Sequence, residues 1–228
     1  MSHMNVIHDP SPGGSAGDLA LVMLPGAGDC AQDLVEQGFL GALRRRGIAA
    51  DAWIADVPFD RYLDGSFAAQ LERDVLAPIL GSGRARTWMM GISLGGMAAL
   101  SAARRHPGAI EGLVLLAPFL GTRGRIAEVS AAGGLRKWLP GAVPPDDDEL
   151  QVLSWLRDYQ AGDPALPRIH LGYGTDDRYA PASALLAREL PRAQVVSVEG
   201  EHDWATWLKL WEVLLDGNVL RPHPAEAK

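Results

Sequence analysis

A serine set between glycines carries the most specific chemistry in this chain: Gly91-Ile92-Ser93-Leu94-Gly95-Gly96. In the pattern G-x-S-x-G a hydroxyl sits on a sharp turn from a strand into a helix. Neighbouring chain passes so close that the residues two before and two after must be nearly free of side chain. Residues 87–90 read as that strand and 94–106 as that helix. The turn strains the serine backbone, aims Oγ out of the sheet and sets it before a helix N-terminus that favours negative charge. That is the setting of a nucleophile; a helix-capping hydroxyl is the alternative for Ser93. The pattern is weak alone in a chain with 26 glycines, and the sequence supplies its own control. Gly13-Gly14-Ser15-Ala16-Gly17 also matches, but it lacks a strand before it and an immediate helix after it, so Ser15 reads as a leader serine.

A serine nucleophile needs a general base, most often histidine. Of the six histidines, His3 and His8 belong to the leader and His223 lies between prolines in the tail. His106 stands before Pro107, where it can cap a helix, and His170 sits inside an apolar strand as a core residue. His202 remains, in a loop between the last strand and the last helix. In Glu201-His202-Asp203-Trp204, Asp203 reads as a helix N-cap. Trp204 and Trp207 pack the final helix and shield the imidazole from water; core packing alone accounts for Trp207 equally well.

With these residues the chain resembles the α/β-hydrolase superfamily, from about Leu19 to Leu215. The resemblance implies a triad in the chain order serine, acid, histidine, with His202 as base. It also implies an oxyanion hole from the Leu94 amide and a donor in Pro25-Gly26-Ala27-Gly28, with Ala27 first. Pro25-Gly26 stands where many members carry His-Gly; a plain turn is the alternative for this segment. The superfamily's acid comes from one of two loops. Pro118-Phe119-Leu120-Gly121 holds no carboxylate, whereas Gly174-Thr175-Asp176-Asp177-Arg178-Tyr179-Ala180-Pro181 holds two. Its spacing implies Asp177, with Asp176 as competitor and Arg178 as a partner for whichever is left over. One nearby histidine is too thin a ligand set for a metal, and no cofactor is expected. The function implied is a serine hydrolase of the carboxylesterase kind acting on a small-molecule acyl substrate. A type II thioesterase is the nearest variant. A non-catalytic ligand-binding module on the same fold, or a relative using the triad for cofactor-free transfer or carbon–carbon cleavage, are the other classes.

The elements that must hold these residues are legible in outline. Apolar runs at 19–24, 49–54, 87–90, 112–117, 169–173 and 194–198 are strand-sized, several of them hydrophobic throughout as in strands buried on both faces. Amphipathic stretches at 31–46, 67–80, 94–106, 182–190 and 203–215 alternate with them. This rhythm predicts an α/β fold, a mostly parallel sheet of about six strands with helices on both faces, in one domain over 18–220. Residues 121–167 break the rhythm. Their length suits a small lid insertion, and an ordinary crossover with ragged ends suits it as well. Asp146–Asp148 fit a helix N-terminus near 150–159. Residues 1–17 and 221–228 are expected to fray.

Composition removes several classes. The balance of 21 Lys+Arg against 28 Asp+Glu, a formal charge of −7, argues against nucleic acid or an anionic membrane as partner. A single cysteine, Cys30, permits no intramolecular disulfide framework. The apolar runs are too short to span a bilayer, which takes about 20 helical residues. The expectation is a cytoplasmic protein.

Overall fold

The computed structural model describes residues 3–12, 18–63, 65–83 and 86–221. Ser15, His223 and the tail from residue 222 lie outside the described residues. One sheet of seven strands is formed by β1 (Val6–Asp9), β2 (Leu19–Leu24), β3 (Ala50–Ala55), β4 (Arg86–Ile92), β5 (Gly112–Leu116), β6 (Arg168–Gly174) and β7 (Val195–Val198). Their spatial order is β1-β3-β2-β4-β5-β6-β7, and every pair is parallel except β1 with β3.

The sheet thus has one strand more than the six legible in sequence, and β1 lies within the stretch expected to fray. Its four residues carry no periodicity, so tertiary partners define it. Val6 pairs with Ala55 and Asp9 with Ala52. Arg44 Nε donates to Asp9 Oδ2 at 2.7 Å, the buried Ser11 amide donates to Asp51 Oδ1 at 2.7 Å, and His8 stacks on Trp53 at 4.0 Å.

Ten α-helices are distributed over the two faces among the described residues. The stretch 31–46 forms two of them, α1 (Ala31–Glu36) and α2 (Phe39–Arg45), because Gly38 breaks it with a left-handed φ of 89°. After α3 (Phe59–Leu63), α4 (Phe67–Leu71) continues through a π-helical turn at Glu72–Leu76 into α5 (Ala77–Leu80). Pro78 accounts for that turn: it lacks a donor for the ladder and crowds the carbonyl four residues back. α6 (Leu94–Arg105) follows β4 and α7 (Arg123–Ala131) follows β5. Then come α8 (Asp148–Asp158), α9 (Ala180–Ala187) and α10 (Trp204–Asp216).

Strand alternation splits the core in two. Ala20, Val22 and Leu24 of β2 join α4, α6 and α8 on one face, while Leu19, Leu21 and Met23 join α1, α2 and α10 on the other. Segment 121–167 contributes Val129, Leu135, Trp138, Val152, Leu156 and Tyr159, all buried, to the core that holds α6. Asp147 caps α8, accepting from the Leu150 amide at 2.9 Å. Those six apolar side chains face a core and not solvent. Among the described residues no helix is long and apolar enough to cross a membrane.

Candidate active site

Ser93 stands between β4 and α6 with φ 49° and ψ −113°, a conformation L-residues avoid and one that costs on the order of 1–3 kcal/mol. The surroundings hold it there. Its amide donates to Leu116 O at 3.0 Å, and its carbonyl accepts from Phe119 N at 2.8 Å and Gly96 N at 3.0 Å. The glycine requirement is literal. A Cβ on Gly91 would lie 2.2 Å from Gly95 O, and one on Gly95 would lie 2.3 Å from Leu24 O. Ala117, the residue after β5, also has a left-handed φ of 44° and donates to Gly172 O at 2.7 Å. No residue preference in the sequence announces that second strained position, which turns the chain toward Phe119 and its bond to Ser93.

His202 reaches both partners. Its Nδ1–H donates to Asp177 Oδ2 at 2.7 Å, and its Nε2 lies 3.1 Å from Ser93 Oγ, in reach of the hydroxyl proton. Asp177 is 4% exposed, and its second oxygen accepts from the Tyr179 amide at 2.7 Å. The two carboxylates of the loop are therefore separated. Asp176 faces the histidine loop instead, where its Oδ2 accepts from Gly200 N at 3.1 Å while its own amide donates to Gly200 O at 3.0 Å. Arg178 pairs with neither aspartate; its guanidinium lies over the Tyr179 ring at 4.7 Å. Gly174 lets the two loops close, since a Cβ there would lie 2.2 Å from Gly200 O.

Aromatic edges wall the imidazole. Tyr179 and Trp207 each meet His202 edge-on at 4.9 Å, and Trp204 meets Trp207 at 5.3 Å. Asp203 caps α10 through the Thr206 amide at 2.8 Å. Tyr179 is a site residue that sequence reasoning missed; an aromatic next to the acid loop was the only signal. The other histidines have different surroundings. His106 ends α6 and pairs with Glu72, and His3 Nδ1 lies 3.4 Å from Asp74. His170 is packed against Trp88, and burial, then Arg168, push its pKa down to about 4.

The turn 25–28 follows β2. Leu94 opens α6, so its amide belongs to the first turn, which has no intrahelical acceptor. Gly26 packs against the serine: a Cβ built on it would lie 3.6 Å from Ser93 Cβ. Pro25 and Gly26 are buried, Ala27 is exposed, Gly28 has a φ of 87°, and Asp29 N donates back to Gly26 O at 3.3 Å. The expected turn is thus beside Ser93, and Ala27 is at its tip. Asp29 was not singled out in the sequence. Burial, then the Asp33 carboxylate, hold its carboxyl above the usual aspartate range, while His202 pulls it down. Among the described residues no group of three His, Cys, Asp or Glu side chains could hold a metal ion.

A strained hydroxyl on an imidazole whose far nitrogen is held by a buried carboxylate can be deprotonated as it attacks an electrophile. Known proteins resemble the chain in fold. The family model described as serine aminopeptidase, S33, matches residues 75–161, a span that includes Ser93. Est1E from Butyrivibrio proteoclasticus is 15% identical, with a TM-score of 0.66 over 95% of this chain and 93% of its own. The fluorophosphonate-binding serine hydrolase F of Staphylococcus aureus is 13% identical, with a TM-score of 0.63 over 94% and 98%. Paleococcus ferrophilus monoacylglycerol lipase is 14% identical, with a TM-score of 0.59 over 95% and 100%. No curated protein matches the sequence.

Proposed function

We propose that this chain, whose fold is that of the α/β-hydrolases, is a serine hydrolase cleaving small-molecule acyl esters by way of an acyl-enzyme. One observation carries the reading: the unbroken run of contacts from buried Asp177 through His202 to backbone-strained Ser93. In this reading His202 Nε2 takes the hydroxyl proton as Ser93 Oγ attacks the acyl carbonyl. The Asp177 carboxylate fixes the tautomer and stabilises the imidazolium that forms. The Leu94 amide, with Ala27 of the 25–28 turn as second donor, receives the charge that develops on the carbonyl oxygen. The imidazolium then gives its proton to the departing alkoxide. Water, activated by the same nitrogen, attacks the acyl-enzyme and frees the acid.

Esters lead among acyl substrates because the structural neighbours include a monoacylglycerol lipase and Est1E with ferulic acid bound. The test compares kcat/KM for p-nitrophenyl esters of two to eight carbons with that for acyl-thioesters of the same chains. Esters should lead by about tenfold or more, the sort of difference that one contact specific to the transition state supports. A preference for thioesters would transfer the reading to a thioesterase.

A further inference from the structure

Hydrogen bonds hold the His202 imidazole at two points, Nδ1 on Asp177 at 2.7 Å and Nε2 on Ser93 at 3.1 Å. The ring can still swing about the line that joins those nitrogens, and the bonds resist the swing only through their angular preference. What packs on the ring therefore sets its tilt. Trp207 meets it at 4.9 Å with the planes at 89°, and Tyr179 meets it at 4.9 Å with the planes at 72°. Trp207 is 6% exposed and belongs to α10 and the core beneath it. Tyr179 belongs instead to the acid loop. Its amide donates to Asp177 Oδ1 at 2.7 Å, so one residue supports the acid through its backbone and meets the base through its ring. The ring is itself held, since the Arg178 guanidinium lies over it at 4.7 Å.

We infer that Tyr179 is a positioning residue of the triad: its ring holds the His202 imidazole at the tilt that serves Ser93 and Asp177 together. This rests on the serine-hydrolase reading of Ser93. An aromatic ring suits the task because it packs closely yet offers no acceptor strong enough to draw Nδ1–H from Asp177. The effect passes through His202, and neither the Tyr179 hydroxyl nor a contact with substrate is needed for it. A base that swings loses its line to Oγ, and a misplacement of about 1 Å at reacting atoms can cost about 10² in rate. Such a loss falls on the chemical step, so it appears in kcat and leaves KM in place.

The test compares Tyr179→Ala and Tyr179→Phe with the native protein on one p-nitrophenyl ester, and takes the proton NMR spectrum of each. Tyr179→Ala should lower kcat by about ten- to a hundredfold while KM moves by less than about twofold. Tyr179→Phe keeps the ring and should restore kcat to within about threefold of the native value. The downfield Nδ1–H resonance of His202, identified by its loss in Asp177→Asn, should be sharp in the native and Phe proteins. In Tyr179→Ala it should broaden or vanish, a change that a merely structural role would not produce. Native kcat in Tyr179→Ala, a loss that falls on KM, a loss that Tyr179→Phe shares in full, or an unchanged resonance would each overturn the assignment and leave the nucleophile standing. If Tyr179→Ala fails to fold, Tyr179→Leu, which fills the space without a flat ring, is judged by the same outcomes. No turnover of any ester by the native protein would overturn the hydrolase reading, and the resonance would still decide whether Tyr179 holds the imidazole.

Discussion

Asp176 and Asp177 are adjacent in the chain and differ in what their oxygens meet. Asp177 is buried on His202 Nδ1, and Asp176 ties the acid loop to the backbone of Gly200. Without the first, the imidazole loses its tautomer; without the second, one loop contact weakens. Asp177→Asn should therefore lower kcat by about 10⁴, the scale for an isosteric change at a triad acid. Asp176→Asn should cost less than about tenfold, or about 1.4 kcal/mol. Assays of both on one ester, with thermal melts, decide it, and the reverse ranking would remove Asp177 from the mechanism. The sequence left both open because side chains in succession diverge only once the loop's course is known. Asp29 was illegible for a related reason: an aspartate after Gly-Ala-Gly reads as a turn residue, and only packing shows its carboxylate beside Gly26, which lies against the serine. His170 carries the pH prediction at this scale. Its folded pKa of about 4 lies below the unfolded value of about 6.5. The unfolded chain thus binds more protons between these values, and stability is lost as pH falls through them, by at most about 3 kcal/mol at 1.36 kcal/mol per unit. Urea titrations at pH 7 and 4.5 should show His170→Gln losing less stability on acidification than the native protein. Equal losses would contradict a partly buried neutral imidazole.

The elements were legible where local pattern and tertiary packing agree. Six parallel strands and the helix after Ser93 follow from apolar runs and amphipathic spacing, most clearly in β2, β3, β4 and β5, which are buried on both faces. β1 was not, since four residues with two apolar side chains gain their order from Arg44, Asp51 and Trp53 across the sheet. The break at Gly38 and the π turn at Glu72–Leu76 have residue-level causes, but periodicity alone runs over both. The turn at Ser93 is the element on which the chemistry depends, and its glycines set a sharp expectation. Gly95→Ala would force a Cβ to within 2.3 Å of Leu24 O, so either β2 or α6 must move. The variant should lose about 1–3 kcal/mol, the usual cost of overpacking. Its kcat/KM should fall well beyond that, because Ser93 moves with α6. Gly124→Ala, where nothing lies within 4 Å, is the control and should leave both unchanged. An active, fully stable Gly95→Ala protein would contradict the close approach of β2 and α6.

The whole molecule is a sheet with two cores, and segment 121–167 belongs to one of them. Trp138 and Tyr159, 2% exposed each, are among its largest buried side chains, and α8 packs on α6, where Arg105 of its last turn pairs with Asp148. Length alone left this segment between lid and crossover; the burial of its aromatic residues is a tertiary property that no local pattern reveals. Removing residues 124–164 should therefore abolish cooperative unfolding, seen as the loss of a thermal transition. A folded product with altered acyl preference would restore the lid. The chemistry of the site rests on three groups, Ser93, His202 and Asp177. The most direct test of their joint role is the intact mass of the protein after exposure to a fluorophosphonate, followed by peptide mapping. One adduct per chain on Ser93, lost in Ser93→Ala and in neither Ser15→Ala nor Asp176→Asn, is the predicted result. A folded protein that takes up no adduct, or takes it up on Ser15, would contradict the account.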